Sequence, residues 1–477
     1  MKLNADSFSP NSSPSRLIPR RCFSLTLAGA AVAAAPRRTL ISAGIVITMD
    51  RNRRILSDGA VLIENERIAA VGRRTELERE YPAATRLARP DGILIPGLIN
   101  THAHIPMALM RGVADDRRLQ DWLENFIFPA EARNVTADFC YWGTLLGCLE
   151  MMLSGTTTYT DMYYFEEEVA RATREAGLRA VLGQTVIGFP VADAKTPAAA
   201  LARTESFFRQ FASDPLVTPA VAPHALYTNS RETLTACRKL ADQYRRPLII
   251  HVSETRKENE DMMARHGKSP VATLAEWGIF DGPTIAAHVI WVDDADIRIL
   301  AAKKVGIAHC PSSNMKLASG IAPVLRQRAA GISVGVGTDG PAGSNNDFHL
   351  IEEIDLAAKL AKVSAMDPRV LPAQTALEMA TIEGAAVLGQ ADRIGSLESG
   401  KLADLVILQS QAAHLVPSFD PYSTVVYSSK AADVSDVYVH GEAVVRQGTP
   451  ARLDTRRILA KAREYQKRIT LSLSSKQ

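Results

Sequence analysis

The chain has 477 residues, of which 46% are hydrophobic and 22% are charged, and its formal net charge is +3. This composition is ordinary for a globular protein, and the length suits a large barrel with a smaller companion domain. The small net charge and the lack of a basic run interleaved with aromatic residues argue against a nucleic-acid partner. Five scattered cysteines without a CxxC pair argue against a disulfide framework and a thiolate metal site.

The first segment, residues 1–37, is predicted to be a signal-like extension. Arg20 and Arg21 precede a mildly apolar stretch at 22–35 that ends in small residues, which is the pattern of a twin-arginine export signal. Export would place the mature protein in the periplasm. The alternatives are a disordered extension or a start codon assigned too early, on a cytoplasmic protein. No segment approaches the roughly 18 apolar residues of a membrane span, so we expect no membrane insertion of the mature chain.

The next segment, residues 38–93, is predicted to form short strands. Its runs "TLISAGIVITMD" and "AVLIENERIAAVG" are rich in β-branched residues and are broken by Gly, Asn and Asp. The same texture returns at 403–452, so the two segments are predicted to pair into one discontinuous small β-sandwich domain. A charged helix within 453–477 is expected to end the chain.

The middle of the chain, residues 94–402, is predicted to have the α/β fold of a (β/α)8 TIM barrel. Short apolar runs alternate there with longer segments of helical periodicity, such as "VTADFCYWGTLLGCLEMMLSG" with Thr136 as its candidate N-cap. Apolar strands that alternate with helices predict a parallel sheet buried on both faces, and eight such units make a barrel. The runs are 93–104, 156–162, 179–187, 217–225, 247–254, 284–290, 306–311 and 332–340.

Polar residues that could bind a metal or a substrate stand at or near the carboxyl ends of six of these runs. A barrel places its reactive groups at that end of its strands, whereas scattered core histidines would not follow strand ends. The residues are His102, His104, His224, His251, Glu254, His288, His309 and Asp339.

The first of these residues form an HxH pattern, in which His102 and His104 lie two positions apart on one strand and face the same side. A divalent metal accepts a lone pair from each imidazole, and His251 and Asp339 are the natural third and fourth ligands. Three imidazoles and one carboxylate suit Zn²⁺, although Fe²⁺ would also fit. No lysine stands at the end of the fourth run to bridge a second metal, so one metal ion is predicted. A bound metal lowers the pKa of a coordinated water to near neutrality.

Two further residues are predicted to take part in catalysis. Glu254 follows His251 by three positions and could carry a proton to the substrate; its alternative is an exposed loop carboxylate. His288 could orient the attacking group or polarise the substrate, and its alternative is a histidine satisfied within the barrel wall. For His309 we favour a structural role. The segment 122–128 could form a hydrophobic lid through Trp122 or Phe126, or could simply be helix core.

Several longer motifs resemble the amidohydrolase superfamily, and more narrowly its 5-methylthioadenosine/S-adenosylhomocysteine deaminases, which are related to the triazine hydrolases. The motifs are "PGLINTHAH", "HVSE", "AAHVIWVDDADI", "HCPSSNMKLASGIAPV" and "VGVGTDGPAGSNND", and the resemblance covers roughly residues 40–450. It implies a barrel with a flanking β-sandwich, one catalytic metal, and hydrolytic loss of ammonia from an adenosine-type purine to give the inosine analogue.

The resemblance also implies roles for single residues. His102, His104, His251 and Asp339 would be the metal ligands, and Glu254 would be the proton shuttle. His288 would contact the attacked ring. Glu131, in "FPAEAR", matches a glutamate that binds the ribose hydroxyls, and His224, in "APHALYT", matches a histidine that contacts the substrate. Residue spacing gave no reason to choose Glu131.

Two departures from the family pattern bear on substrate and location. The stretch "IGFPVADAKTPAAAL" offers only Lys195 to hold the carboxylate of a longer, amino-acid-bearing substrate. The signal-like extension is unusual for deaminases that are generally cytoplasmic.

The same metal site could also serve a hydrolase of a triazine, guanine, pterin or cyclic amide. The expected partner is a small-molecule substrate, and a homo-oligomer is left open.

Overall fold

The structure is a computed structural model that describes residues 36–474. The predicted export signal, with Arg20 and Arg21, lies outside these residues. Within residues 36–474, no helix combines the length and the apolar character that crossing a membrane requires.

The described residues contain sixteen strands in two eight-stranded sheets. In chain order the strands are β1 Arg38–Ile47, β2 Ile55–Glu64, β3 Arg67–Arg73, β4 Thr85–Pro96, β5 Leu98–Ala103, β6 Thr156–Tyr163, β7 Arg179–Val186, β8 Val217–Pro223, β9 Leu248–Val252, β10 Thr284–His288, β11 Gly306–His309, β12 Val334–Val336, β13 Leu405–Gln409, β14 Val434–Val439, β15 Glu442–Arg446 and β16 Thr449–Pro450.

The second sheet, β5 to β12, follows chain order, and every pair of neighbouring strands is parallel. Its two ends meet: Thr101 Oγ1 donates to the Val336 carbonyl at 2.9 Å, and Ala103 bridges Asp339. Nearly all of the strand residues are buried, as is expected of parallel strands covered on both faces. The predicted (β/α)8 barrel is therefore confirmed: seven of the eight apolar runs contain a barrel strand, and β6 extends one residue beyond the run 156–162.

The barrel interior is built by the two-residue period of its strands. Along β7, Val181 packs in an inner cluster, whereas Ala180 and Leu182 pack in the larger cluster that includes the surrounding helices. Because side chains alternate between the two faces of a strand, each strand contributes side chains both to the inner cluster and to the larger cluster with the helices. The inner cluster takes its strand residues from seven strands in succession: Ile99, Met162, Val181, Ala220, Ala222, Ile249, Ile285 and Ala308.

The longer helices connect or follow the strands. Thr136 caps the helix predicted after the first barrel strand, since its hydroxyl accepts from the Phe139 amide at 3.1 Å. The α-helices of six or more residues are Arg74–Glu80, Phe128–Asn134, Ala137–Leu153, Glu166–Ala176, Pro197–Gln210, Arg231–Tyr244, Arg256–His266, Pro270–Glu276, Asp294–Ala302, Pro311–Lys316, Val324–Ala329, Leu350–Ala365, Ala373–Met379, Ile382–Val387 and Thr455–Ser474.

The first sheet combines strands from both ends of the chain, in the order β16-β15-β14-β13-β4-β1-β2-β3. It is mixed, because β1 runs parallel to β4 and antiparallel to β2, and β13 runs antiparallel to β4. The predicted run at 93–104 is shared between the sheets: β4 ends at Pro96 and the barrel strand β5 begins at Leu98. Strands distant in sequence thus lie side by side, and one of them, β4, leads directly into the first barrel strand.

Candidate active site

The HxH residues reach the mouth of the barrel because β5 is irregular. Ile99 packs in the inner cluster and Ala103 in the outer one, although residues four apart on a regular strand share a face. The pairing of β5 with β6 shifts register between Asn100 and Ala103, and such a bulge re-aims the side chains that follow it. As a result the imidazoles of His102 and His104 lie together, with ring centroids 4.9 Å apart.

Two more side chains arrive from distant strands. His251 shares the inner face of β9 with Ile249, and its ring lies 4.9 Å from that of His102. Asp339 follows β12, and its Oδ1 lies 3.2 Å from His104 Nε2 and 3.6 Å from His102 Nε2. The structure thus brings together all four side chains for which the sequence predicts metal binding.

These residues fit a divalent metal ion. Ligand nitrogens of His102, His104 and His251 all lie within 4.8 Å of one another. His102 is fully buried, and neither of its ring nitrogens has a hydrogen-bond partner among the described residues. Burial lowers the pKa of His102 to about 4, so the ring is neutral and has a lone pair to give. A buried polar atom without a partner is costly, and a metal ion removes that cost.

The carboxylate of Asp339 is held in place by its own loop and by the helix Pro311–Lys316 that follows β11. Ser313 Oγ donates to Oδ2 at 2.6 Å, and the Gly340 amide donates to Oδ1 at 2.7 Å. Burial disfavours its charge, but the neighbouring imidazoles of His102 and His104 keep the pKa of Asp339 well below its usual value. The group is therefore an anion at neutral pH.

Glu254 lies beside the cluster, and a second glutamate holds its backbone. Its side chain is 4% exposed, so the alternative of an exposed loop carboxylate is wrong, and burial raises its pKa. The amides of Ser253 and Glu254 donate to the two carboxylate oxygens of Glu258 at 3.1 and 2.8 Å. Sequence reasoning missed Glu258, although Thr255 and Glu258 form the T-x-x-E pattern of a helix start, which could have revealed it.

Of the three remaining predicted histidines, His288 and His224 line the cleft and His309 does not. His288 Nδ1 contacts Asn314 Oδ1 at 3.0 Å, and its Nε2 lies 4.0 Å from Glu254 Oε1. His224 lines the cleft directly after β8. His309 is buried at the end of β11 and is not among the residues that line the cleft.

The cluster opens into a cleft with about 580 Å³ of atom-free space, part of it open to solvent. Glu131 lies in its wall, 6% exposed, and burial raises the pKa of Glu131 to about 7 against the opposing effects of Tyr163, His104 and Tyr164. Of the predicted lid segment, Trp122 lines the cleft and its Nε1 donates to the Ala342 carbonyl at 2.8 Å, whereas Phe126 does not line it.

The profile of the amidohydrolase family matches residues 93–444, which contain the whole cluster. The chain belongs to the amidohydrolase family. This amidohydrolase is a hydrolase acting on carbon–nitrogen bonds, and the family resemblance of its motifs is confirmed. A second, short match, to the imidazolonepropionase-like composite domain of bacteria, covers residues 59–84 in the first sheet.

Among curated relatives, the amidohydrolase is 43% identical over 432 residues to a 5-methylthioadenosine/S-adenosylhomocysteine deaminase of Thermodesulfovibrio yellowstonii, covering 90% of this chain and 98% of that protein. It is 45% identical over 406 residues to the protein of the same name from Syntrophobacter fumaroxidans, covering 85% and 92%.

Solved structures show the same fold. An adenosine deaminase from Xanthomonas campestris with bound zinc has a TM-score of 0.89 at 38% identity, covering 91% of this amidohydrolase and 98% of that chain. An atrazine chlorohydrolase from Arthrobacter aurescens complexed with zinc has a TM-score of 0.83 at 25% identity, covering 90% and 99%.

Proposed function

We propose that this amidohydrolase removes ammonia hydrolytically from the purine ring of an adenosine-type nucleoside. The substrates we infer are 5-methylthioadenosine, S-adenosylhomocysteine or adenosine, and the product is the inosine analogue. The names of the relatives at 43–45% identity support this reaction. The observation that carries it is the buried carboxyl group of Glu131, which faces the same cleft as the histidine–aspartate cluster and can accept hydrogen bonds from a sugar.

We further propose that His102, His104, His251 and Asp339 hold one divalent metal ion, which we infer to be Zn²⁺ because two solved relatives are described with zinc; Fe²⁺ suits the same donors. When bound, such an ion supplies a water molecule of lowered pKa at neutral pH. The unpartnered ring nitrogens of His102 support this assignment.

The protein's own groups would handle the protons of the reaction. Glu254 takes one proton from the attacking water and delivers it to the ring nitrogen beside the amino-bearing carbon. Asp339 takes the remaining hydroxyl proton and gives it to the amino group, which leaves as ammonia. His288, oriented by Asn314, faces the same space and stabilises charge on the attacked ring. His224 contacts the substrate from the end of β8.

Ammonia release from adenosine, 5-methylthioadenosine, S-adenosylhomocysteine, guanine, cytosine and a triazine tests this function. We expect release from the adenosine-type compounds. Inactivity on all three of them, with activity on guanine or the triazine, would instead support the alternative of another heterocycle hydrolase, for which the atrazine chlorohydrolase is the structural precedent.

Glu131→Ala is expected to lower kcat/KM on nucleosides by about ten- to a hundredfold, because it removes the carboxyl group that would accept hydrogen bonds from the sugar. Activity on a free base, if the wild type has any, is expected to stay. Glu124→Ala is the matched control, because Glu124 lies in the helical turn directly before the helix Phe128–Asn134 and is exposed. Equal losses on nucleosides and free bases would contradict the assignment of Glu131 to the sugar.

A further inference from the structure

Two separate segments orient the groups that would transfer protons and stabilise charge. One segment is the helix Pro311–Lys316. Its Ser313 hydroxyl donates to the Asp339 carboxylate at 2.6 Å, and its Asn314 Oδ1 lies 3.0 Å from His288 Nδ1. The other segment is the loop that follows β12 and contains Asp339 itself. The geometry of this part of the site therefore depends on how the helix and the loop are held relative to each other.

A buried carboxyl group on a third element contacts both segments. Glu353 belongs to the helix Leu350–Ala365 and is 1% exposed. Its Oε2 accepts from the amide of Ser312, in the first segment, at 3.2 Å. Its Oε1 accepts from the side-chain amide of Asn345, in the loop after β12, at 3.0 Å. One side chain thus joins the two segments.

Both contacts lie close in sequence to the groups that they would position. Ser312 directly precedes Ser313, which donates to the carboxylate of Asp339. Asn345 Nδ2 donates not only to the carboxyl group but also to the Thr338 carbonyl, at 2.9 Å, and Thr338 directly precedes Asp339. The carboxylate of Asp339 is therefore reached from two sides, through its own backbone and through its hydrogen-bond donor.

The burial of Glu353 has a cost that its other surroundings do not offset. Burial raises the pKa of Glu353 to about 8, against hydrogen bonds from Ser312, and the nearby Asp347 raises it further. Glu353 does not line the cleft, and within residues 36–474 it forms no hydrogen bond with an inferred metal ligand. A direct contact with substrate or metal therefore does not account for a carboxyl group at this place, whereas its two hydrogen bonds do.

We propose that Glu353 is a positioning residue for the deamination: it holds the helix Pro311–Lys316 and the loop after β12 together, and so fixes Asp339 and His288 relative to each other. This inference rests on the proposed function, because it requires that both groups take part in the reaction. Glu353 acts through Ser313 and Asn314, so its loss is expected to lower kcat and to leave KM little changed.

The test is Glu353→Gln, which keeps the shape of the side chain but replaces one accepting oxygen by an NH₂ group. That group only donates, so either Ser312 or Asn345 loses its acceptor. With the enzyme saturated with Zn²⁺, kcat on a nucleoside is expected to fall by about ten- to a hundredfold, the usual cost of removing an outer partner of a metal site. Glu352→Gln is the matched control, because Glu352 is the exposed neighbour on the same helix.

A double-mutant cycle with Asn314→Ala separates positioning from a general loss of stability. Asn314→Ala removes the contact with His288 through which Glu353 would act in part. The combined loss of kcat is therefore expected to be at least about threefold smaller than the product of the two single losses, whereas independent effects multiply. A combined loss equal to that product would overturn the role of Glu353.

Hydrogen exchange without substrate gives a readout independent of activity. In Glu353→Gln, the backbone amides of 311–316 and 338–346 are expected to exchange faster than in wild type, with the helix Arg231–Tyr244 unchanged. A wild-type kcat in Glu353→Gln, or unchanged exchange in both segments, would overturn the role of Glu353 and leave the proposed function standing. A wild-type enzyme that deaminates no nucleoside would overturn both.

Discussion

At the residue scale, the chemistry of the cleft depends on which nitrogen of each histidine is already engaged. His104 Nδ1 contacts the Met162 carbonyl and His251 Nδ1 contacts the His224 carbonyl, both at 2.7 Å. A carbonyl only accepts, so each Nδ1 must carry the proton. Burial keeps the pKa of His251 well below its usual value, so its Nε2 keeps a lone pair for a ligand. Against burial, the hydrogen bond with Asp339 raises the pKa of His104 to about 9, so a metal ion would displace the proton from its Nε2. The backbone thus selects the tautomer that metal binding requires.

Glu254→Gln is the sharpest test at this scale. The amide keeps the shape of the side chain but cannot carry a proton, so kcat is expected to fall by about 10²- to 10⁴-fold. Metal content, measured by elemental analysis, is expected to stay at the wild-type value, since Glu254 is not among the inferred ligands, whereas His102→Ala is expected to lose the metal. A Glu254→Gln enzyme of wild-type kcat would remove this residue from the mechanism. Glu260→Gln, exposed on the following helix, is the control.

At the element scale, the site is made by the residues at which barrel strands stop being regular. His288 and Asp339 both have left-handed backbone, with φ of 70° and 62°, and so does Ser253 before Glu254, with φ of 51°. Residues other than glycine rarely adopt this conformation, and where they do the surrounding structure must hold them. At the turn after β9, Glu258 does this by accepting both consecutive amides.

Glu258→Ala is therefore expected to affect activity through the backbone. Two buried amides lose their acceptor, which costs about 1–3 kcal/mol for each group left unpaired, and Glu254 loses its fixed position. We expect a lower Tm and a fall in kcat of at least about tenfold with KM little changed, measured by steady-state kinetics on folded protein. The nearby exposed Glu260→Ala should change neither. A normal kcat with a lowered Tm would show that Glu258 contributes to the stability of the fold and not to catalysis.

At the scale of the whole molecule, the mixed sheet is tied to the barrel by apolar packing and by one buried ion pair. Ile95 and Val406 pack in the larger cluster that includes the helices around the barrel, whereas Leu94 and Ile407 pack in a separate core of the mixed sheet. Arg179, at the start of β7, pairs with Asp404 through two hydrogen bonds of 2.9 and 3.2 Å, and both side chains are 2% exposed.

Asp404→Asn tests this connection. It leaves the Arg179 cation buried without a counter-charge, which costs about 3–5 kcal/mol when one partner of a buried pair is removed. We expect a clear drop in the thermal midpoint. The control is Asp58→Asn, where the same change breaks the exposed pair with Arg74 and should leave the midpoint unchanged. If the two variants have the same thermal midpoint, the buried pair does not hold the sheet to the barrel.

The barrel and the positions of the cluster residues along the chain could be predicted from the amino-acid sequence alone. Eight apolar runs, with His102, His251 and Asp339 at or near their carboxyl ends, predict the strands and the end at which these groups meet, because side-chain period and strand direction are local properties. Which groups become neighbours depends on the tertiary structure. The bulge in β5 and the placement of Glu131 in the cleft wall result from packing between elements far apart in sequence, and no local pattern encodes such contacts.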